Sequence, residues 1–311
     1  MQHWWQQQFP KGCQFAQIED ANQQMVNIAY GEKGQGKTLI LLHGWGLWSY
    51  AWHKNIDPLA EHFRVICLDF KGSGFSDKPA KPEIVGHQII ETINFIKQVS
   101  DEPVILLGES LGGLVALGVA EQAPELIDQL IVVDAAIFPK KMPNLGMYLL
   151  GIMPLGLVRF ADRLRLARLF YPVIYYVVKM SHAQTHHKIP VEKLKKAIQQ
   201  NIYPYYHFPN AITKLIEDTK IGINELLKQE RGEPNFLTEV QQKLETIQCP
   251  TLILWGEKDI WFPVAHAERL HSILPDSQLT VLPDCGHHAT SDASETVNQA
   301  VIEFGTQVEK S

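Results

Sequence analysis

Ser110 lies in the run Gly108-Glu109-Ser110-Leu111-Gly112-Gly113, directly after the apolar stretch Pro103–Leu107 (PVILL) and directly before the small apolar stretch Leu111–Gln122. A G-x-S-x-G run is short enough to recur by chance; a strand before it and a helix after it give it meaning. A tight turn in that setting lifts the serine hydroxyl above the end of a sheet, and the glycines leave room for close packing. A serine hydroxyl is a weak nucleophile at neutral pH. It needs a base to take its proton, and the base needs a partner to orient it. Two later residues supply these groups in the order Ser, Asp, His. Asp259 follows the strand-like run Pro250–Trp255 (PTLILW) through the turn Gly256-Glu257-Lys258, and His287 follows Gln278–Leu282 through Pro283-Asp284-Cys285-Gly286. Both stand just past the C-terminal ends of strands, where ligands gather in open α/β sheets.

Such a constellation requires strands that end along one edge. Thr38–Leu42, Arg64–Leu68, Pro103–Leu107 and Leu130–Val133 are short, unbroken apolar runs, which points to strands covered on both faces. Cys13–Glu19 and Met25–Tyr30 add two short strands joined by a polar turn. Helical patterns alternate with them: Val85–Val99 places Val85, Ile89, Ile93, Ile96 and Val99 on roughly one face, and Leu111–Gln122 stops before Pro124. This alternation predicts an α/β fold, a mostly parallel central sheet with helices on both faces. The rhythm breaks near Ile137. Helix-like stretches follow at Met147–Leu169, Tyr171–Met180, Val191–Asn201 and Asn210–Leu227, and strands return only at Pro250. The organisation expected is a core domain of residues 1–136 and 246–311, with a helical cap, residues 137–245, inserted after the sixth strand. The Gly31–Gly36 run (GEKGQG) before Lys37-Thr38 has the look of a phosphate loop, but it precedes a strand where a phosphate loop precedes a helix, so it is read as a turn.

Five elements in order now carry a resemblance: His43–Gly46 (HGWG), Asp69–Pro79 (DFKGSGFSDKP), GESLGG, Leu252–Pro263 (LILWGEKDIWFP) and Leu282–His288 (LPDCGHH). The chain resembles the α/β-hydrolase superfamily, in its cap-bearing branch with a Ser-Asp-His triad, over about Met25 to Val308 apart from the variable cap. Lys71 stands where that family often has arginine. The resemblance implies Ser110 as nucleophile, Asp259 as acid and His287 as base. Asp134, after the strand LIVV, competes for the acid role because some relatives use that position; the GEKD turn favours Asp259. His288 competes for the base; the Gly-His pairing favours His287. The family's oxyanion donors are two backbone N–H groups, which here fall on Leu111 and Trp45; losing one such donor typically costs about 10²–10³ in rate. Trp45, Trp261, Tyr175 and Tyr176 are expected to line the substrate pocket. The aromatic wealth of the cap also fits a cap that simply packs its own core.

The activity implied is hydrolysis of a carboxylic ester with an apolar acyl or alcohol part, without metal or cofactor. Carbon–carbon bond hydrolases, lactonases, thioesterases and proline iminopeptidases share the constellation, and a non-catalytic ligand-binding member of the fold is the reading of another class. A serine nucleophile argues against epoxide hydrolases and haloalkane dehalogenases, which use an aspartate there. Composition agrees with this. The 311 residues are 45% hydrophobic and 20% charged, with a net charge of −6, so a nucleic-acid partner, which needs a basic face, is not expected. Cys13, Cys67, Cys249 and Cys285 form no C-x-x-C pair, and Cys67 lies within a strand, where a buried free thiol fits a reducing compartment. The N-terminal run MQHWWQQQFPKG lacks the basic and apolar regions of a secretory leader, so a cytoplasmic location is expected. Met142–Val158 is uncharged but interrupted by two prolines and three glycines, and short for a span of about 20 residues. Weak contact of the apolar cap with a membrane surface is a further expectation.

Overall fold

The computed structural model describes residues 2–166, 169, 171–185 and 191–307. Eight strands form one sheet: β1 Gln14–Glu19, β2 Met25–Lys33, β3 Thr38–Leu42, β4 Arg64–Leu68, β5 Val104–Glu109, β6 Ile127–Val133, β7 Thr251–Gly256 and β8 Ser277–Leu282. Their spatial order is β1-β2-β4-β3-β5-β6-β7-β8. β2 pairs antiparallel with both β1 and β4, and every other neighbouring pair is parallel. This is the mostly parallel α/β sheet expected, with each strand within three residues of its sequence bounds. The order reverses at β3, which lies between β4 and β5. The carboxyl ends of β3 and β5 therefore flank the crevice where such sheets bind ligands.

The apolar runs are strands because both faces are covered. In β3, Ile40 and Leu42 join the apolar cluster on one face while Leu39 and Leu41 join the cluster on the other. β5 repeats this, with Val104 and Leu106 on one side and Ile105 and Leu107 on the other. Each such side chain contributes about 1.5–3 kcal/mol by leaving water. The first face is covered by α3 (His87–Val99), α4 (Leu111–Gln122) and, after the insertion, α11 (Ala265–Ile273). The second is covered by α1 (Gln2–Gln8), α2 (Ile56–Ala60), α12 (Ala289–Asp292) and α13 (Ser294–Gly305). Helix α1 has no amphipathic period to announce it in the sequence. It forms because Trp5 buries against Trp48 and Phe75, leaving it 1% exposed. Helix α3 starts two residues later than its periodicity predicts, because Gly86 takes φ 74° and breaks the helical path.

Between β6 and β7 the described residues form six α-helices: α5 Leu145–Gly151, α6 Leu155–Arg163, α7 Tyr171–Thr185, α8 Val191–His207, α9 Ala211–Glu230 and α10 Phe236–Lys243. The single helix expected over Met147–Leu169 is two, meeting at 82° around Pro154, whose ring cannot continue a preceding helix. The opposite holds for α8. It runs past its expected end at Asn201 and through Pro204. Pro204 has no N–H for the Gln200 carbonyl, and the Trp48 indole N–H donates to that carbonyl instead, at 3.1 Å. Helix α10 packs Leu237 and Val240 into the sheet's own core, while α6 to α9 share a separate apolar cluster that includes Val158, Ile174, Ile202 and Leu215.

Candidate active site

Ser110 stands between β5 and α4 with φ 56° and ψ −115°, a conformation that costs roughly 1–3 kcal/mol for a residue with a side chain. Its surroundings hold it there. The Ser110 N–H donates to Val133 O at 2.9 Å, and its carbonyl accepts from Ala136 N at 3.0 Å. The glycines of the motif exist for clearance: a Cβ at Gly112 would fall 2.1 Å from Leu42 O, and one at Gly108 would fall 2.1 Å from Gly112 O. Serine Oγ is thus presented where β3 and β5 end, with its residue 8% exposed.

The loop after β8 brings His287 to it. His287 Nε2 is 3.0 Å from Ser110 Oγ, and Nδ1 is 2.7 Å from Asp259 Oδ2. The Nδ1–H donates to the carboxylate, so the Nε2 lone pair faces the serine O–H, within reach for proton abstraction. Asp259 is itself fixed: Oδ1 accepts from Trp261 N at 2.7 Å and Phe262 N at 3.0 Å. The Trp255 indole N–H ties the same loop by donating to Phe262 O at 2.8 Å. The three residues that the sequence placed at strand ends therefore converge on one side of the sheet. His287 is fully buried and Asp259 6% exposed, so water does not compete for these bonds.

The two competitors are also close, in other arrangements. Asp134 accepts from Gly256 N at 2.8 Å and Ala289 N at 3.2 Å, which ties β6 to the acid turn and to α12. Complete burial, and secondarily the neighbouring Asp259 charge, push its carboxyl well above the usual carboxylate range. His288 Nδ1 is 3.7 Å from Glu109 Oε2. Glu109, unremarked in the sequence, fastens the histidine loop to the serine turn: it accepts from Thr290 Oγ1 at 2.6 Å and Thr290 N at 3.3 Å. Burial raises its pKa, but His288, Thr290 and the charge of His287 outweigh that and leave it lowered. His43 is a second such positioner. Its Nε2 accepts from Phe70 N at 3.1 Å and its Nδ1–H donates to Gly44 O at 2.8 Å, so it is neutral; burial depresses its pKa in the same direction. These bonds assign a test of the acid. Asp259→Asn should lower kcat by about 10⁴ by selecting the wrong imidazole tautomer. Asp134→Asn should act mainly on stability, by about 1–3 kcal/mol from the disturbed N–H partner. Steady-state rates and melting curves of both variants check this; a larger rate loss in Asp134→Asn would reverse the assignment.

Above the serine is a cavity of about 210 Å³. Ser110, His287, Trp45, Leu111 and Trp261 line it, and its walls are mainly apolar side chains of the inserted helices, such as Met147, Leu150, Ile174 and Val178. The Trp45 indole N–H donates to Thr219 Oγ1 of α9 at 3.1 Å, so this residue joins core to insertion. Tyr175 and Tyr176, expected in the pocket, are not among its lining residues. Ile174 and Val178 occupy the inward face of α7 at i, i+4, which rotates 175 and 176 away. Tyr176 is 62% exposed, and Tyr175 packs beside the cluster of the inserted helices.

One side of the cavity is polar. His87 of α3 and Asp218 of α9 both line it, with Nε2 to Oδ1 at 3.2 Å, and His87 Nδ1 reaches Glu91 Oε2 at 3.1 Å. Burial lowers the pKa of His87, but hydrogen bonds and charge from Asp218 and Glu91 dominate and raise it to about 10, so the imidazolium persists at neutral pH. Behind it, fully buried Lys71 reaches Asp20 at 2.7 Å, Glu83 at 2.8 Å and Glu91 at 2.5 Å, while Lys214 of α9 bridges Glu83 at 2.7 Å and Glu217 at 3.0 Å. Among the described residues two groups have donor atoms close enough to share a cation: Glu83, His87 and Glu91, and Asp134, Asp259 and His287. In the first, Lys71 already supplies the positive charge; in the second, both nitrogens of His287 are engaged.

The chain is similar to several known hydrolases. It is 27% identical over 279 residues to the pimeloyl-[acyl-carrier protein] methyl ester esterase of Vibrio campbellii, covering 90% of this chain and 98% of that protein. It is 26% identical to the 2-hydroxy-6-oxononadienedioate/2-hydroxy-6-oxononatrienedioate hydrolase of Escherichia coli, covering 93% and 94%. Among solved structures, a thermophilic esterase from Thermogutta terrifontis superposes with a TM-score of 0.72 at 22% identity, covering 94% of this chain and 97% of that one. A family profile described as alpha/beta hydrolase fold matches residues 37–293, a span that contains every strand from β3 to β8, the serine turn and both of its partners. With the sheet order and the strand–turn–helix at Ser110, that match places the chain in the α/β hydrolase fold family of hydrolases.

Proposed function

We propose that the protein is a serine hydrolase that cleaves carboxylic esters with an apolar acyl or alcohol part. The observation that carries this reading is the hydrogen-bonded series Ser110–His287–Asp259 opening into a mainly apolar cavity. Ser110 Oγ attacks the carbonyl carbon as His287 Nε2 takes its proton, and Asp259 stabilises the imidazolium. The backbone N–H groups of Leu111, at the first turn of α4, and of Trp45 hold the oxyanion. His287 returns the proton to the departing alcohol. Water, deprotonated by His287, then attacks the acyl carbon and releases the acid and Ser110. The similarity to a methyl ester esterase supports this reaction type. Hydrolysis of a carbon–carbon bond on the same residues is the second reading, favoured by the similarity to the Escherichia coli hydrolase. An organophosphonate should label Ser110 stoichiometrically, with no adduct in Ser110→Ala, as read by intact and peptide mass. A panel of p-nitrophenyl esters, thioesters, lactones and vinylogous diketones then separates the reactions: esters of longer apolar acids should turn over fastest. Labelling without turnover of any of these would point to a ligand-binding member of the fold, and no adduct at Ser110 would remove the proposal.

A further inference from the structure

Of the large apolar side chains exposed among the described residues, eleven of twenty fall between 145 and 180. They are ordered in stripes. On α5, Leu145, Tyr148 and Leu149, with Ile152 just past its end, recur at helical spacing and point outward, while Met147 and Leu150 point into the cavity. On α6, Leu157 and Phe160, with Leu164 just past its end, form a second outward stripe, with Phe160 60% exposed and Val158 turned to the interior. On α7, Tyr176 and Met180 continue the surface. A soluble monomer rarely exposes an apolar area of this extent without a use for it.

The charge around these stripes selects the partner. Arg163, Arg165 and Lys179 are exposed beside them, and Lys140 lies just before α5. Between 140 and 182 the one acidic residue is Asp162, and it is turned inward, accepting from Thr213 Oγ1 at 2.8 Å. The face is therefore apolar and basic in a chain whose net charge is −6. Helices with leucine and phenylalanine on one face and arginine along its borders lie in the plane of a bilayer surface, with the long basic side chains reaching headgroup phosphates. The 82° bend between α5 and α6 keeps them from running end to end as one straight span, and no single described helix is long and apolar enough to cross a membrane.

We propose that the outward face of α5, α6 and α7 docks the protein on an anionic phospholipid surface. Of these, α5 and α7 form part of the cavity wall, so their docked face would stand one helix away from the apolar chamber above Ser110. The docking itself does not depend on the esterase reading.

Co-sedimentation of the full protein tests it, with vesicles of phosphatidylcholine alone and of phosphatidylcholine mixed equally with phosphatidylglycerol. Binding is expected to the anionic vesicles, weaker to the neutral ones, and reduced by salt. Neutralising Arg163 and Arg165 should weaken it by about fivefold each. Leu149→Ser/Leu157→Ser/Phe160→Ser should abolish it while leaving hydrolysis of a short water-soluble ester unchanged, since none of the three lines the cavity. The melting curve of that variant guards against loss of fold. Ser110→Ala should bind as the wild type does, which keeps a failure of catalysis distinct from a failure of docking. Wild-type protein that stays in the supernatant with both vesicles, or a triple variant that still sediments, overturns the proposal. So does a dimer in light scattering that the triple variant abolishes, since a second copy would then be what covers this face.

Discussion

Replacing Ser110 with alanine should lower turnover of an apolar ester by about 10⁶, comparable to removing the whole constellation in enzymes of this kind. The size follows from the geometry. His287 Nε2 is 3.0 Å from the hydroxyl it activates, and the variant leaves that base with nothing to deprotonate but water. The proposed oxyanion donors, Leu111 N–H and Trp45 N–H, and the cavity survive, so a residual rate of about 10³–10⁴ over water is expected. Stability should change little, because the backbone bonds of residue 110 to Val133 and Ala136 do not involve its side chain. Single-turnover assays and a melting curve measure both parts. A variant that folds and keeps a sizeable fraction of wild-type turnover would show that the nucleophile is elsewhere.

The second large effect is on stability. Lys71→Met keeps the length of the side chain but leaves Asp20, Glu83 and Glu91 around an uncharged thioether in a buried site. Breaking a buried ion pair typically costs about 3–5 kcal/mol, because the partner charge stays buried and unpaired. Three carboxylates share this ammonium, so the upper part of that range is expected, a fall in melting temperature on the order of 10 °C. The site also joins the core to α9, since Glu83 is held by both Lys71 and Lys214, and Glu91 by Lys71 and His87. Part of the loss should therefore be seen as earlier proteolysis between β6 and β7. Thermal melts and limited proteolysis of the variant decide this; a melting temperature within a degree or so of wild type would mean that the cluster adds nothing net, as some buried ion pairs do.

Much of this was legible in the residues. The inner strands β3 to β7 read as apolar runs because a sheet covered on both faces needs no polar alternation, and Leu111–Gln122 was bounded by Ser110 at one end and by Pro124 just beyond the other. Ser110, Asp259 and His287 could be selected because each sits at a strand end in a local turn, a property of a few neighbouring residues. The Gly31–Gly36 run, read as a turn, is half strand: Gly31 to Lys33 pair with β4, and only the residues from Gly34 to Gly36 leave the ladder before β3. The helical ends failed where a distant group decided them: α8 outlasts Pro204 because Trp48, far away in the chain, takes the carbonyl that proline leaves open.

The amino-acid sequence by itself determined the order of the strands and the three side chains able to form a serine nucleophile with its base and acid. Only the tertiary structure decided that Asp259, with Asp134 so near, bonds His287, and that Ile174 and Val178, with Tyr175 and Tyr176 turned away, face the cavity. It alone joined His87 to Asp218 and Lys71 to its three carboxylates. The reason is physical: turns, caps and periodicities act over a few residues, whereas hydrogen bonds and apolar contacts between distant segments exist only after the sheet has fixed where each segment ends.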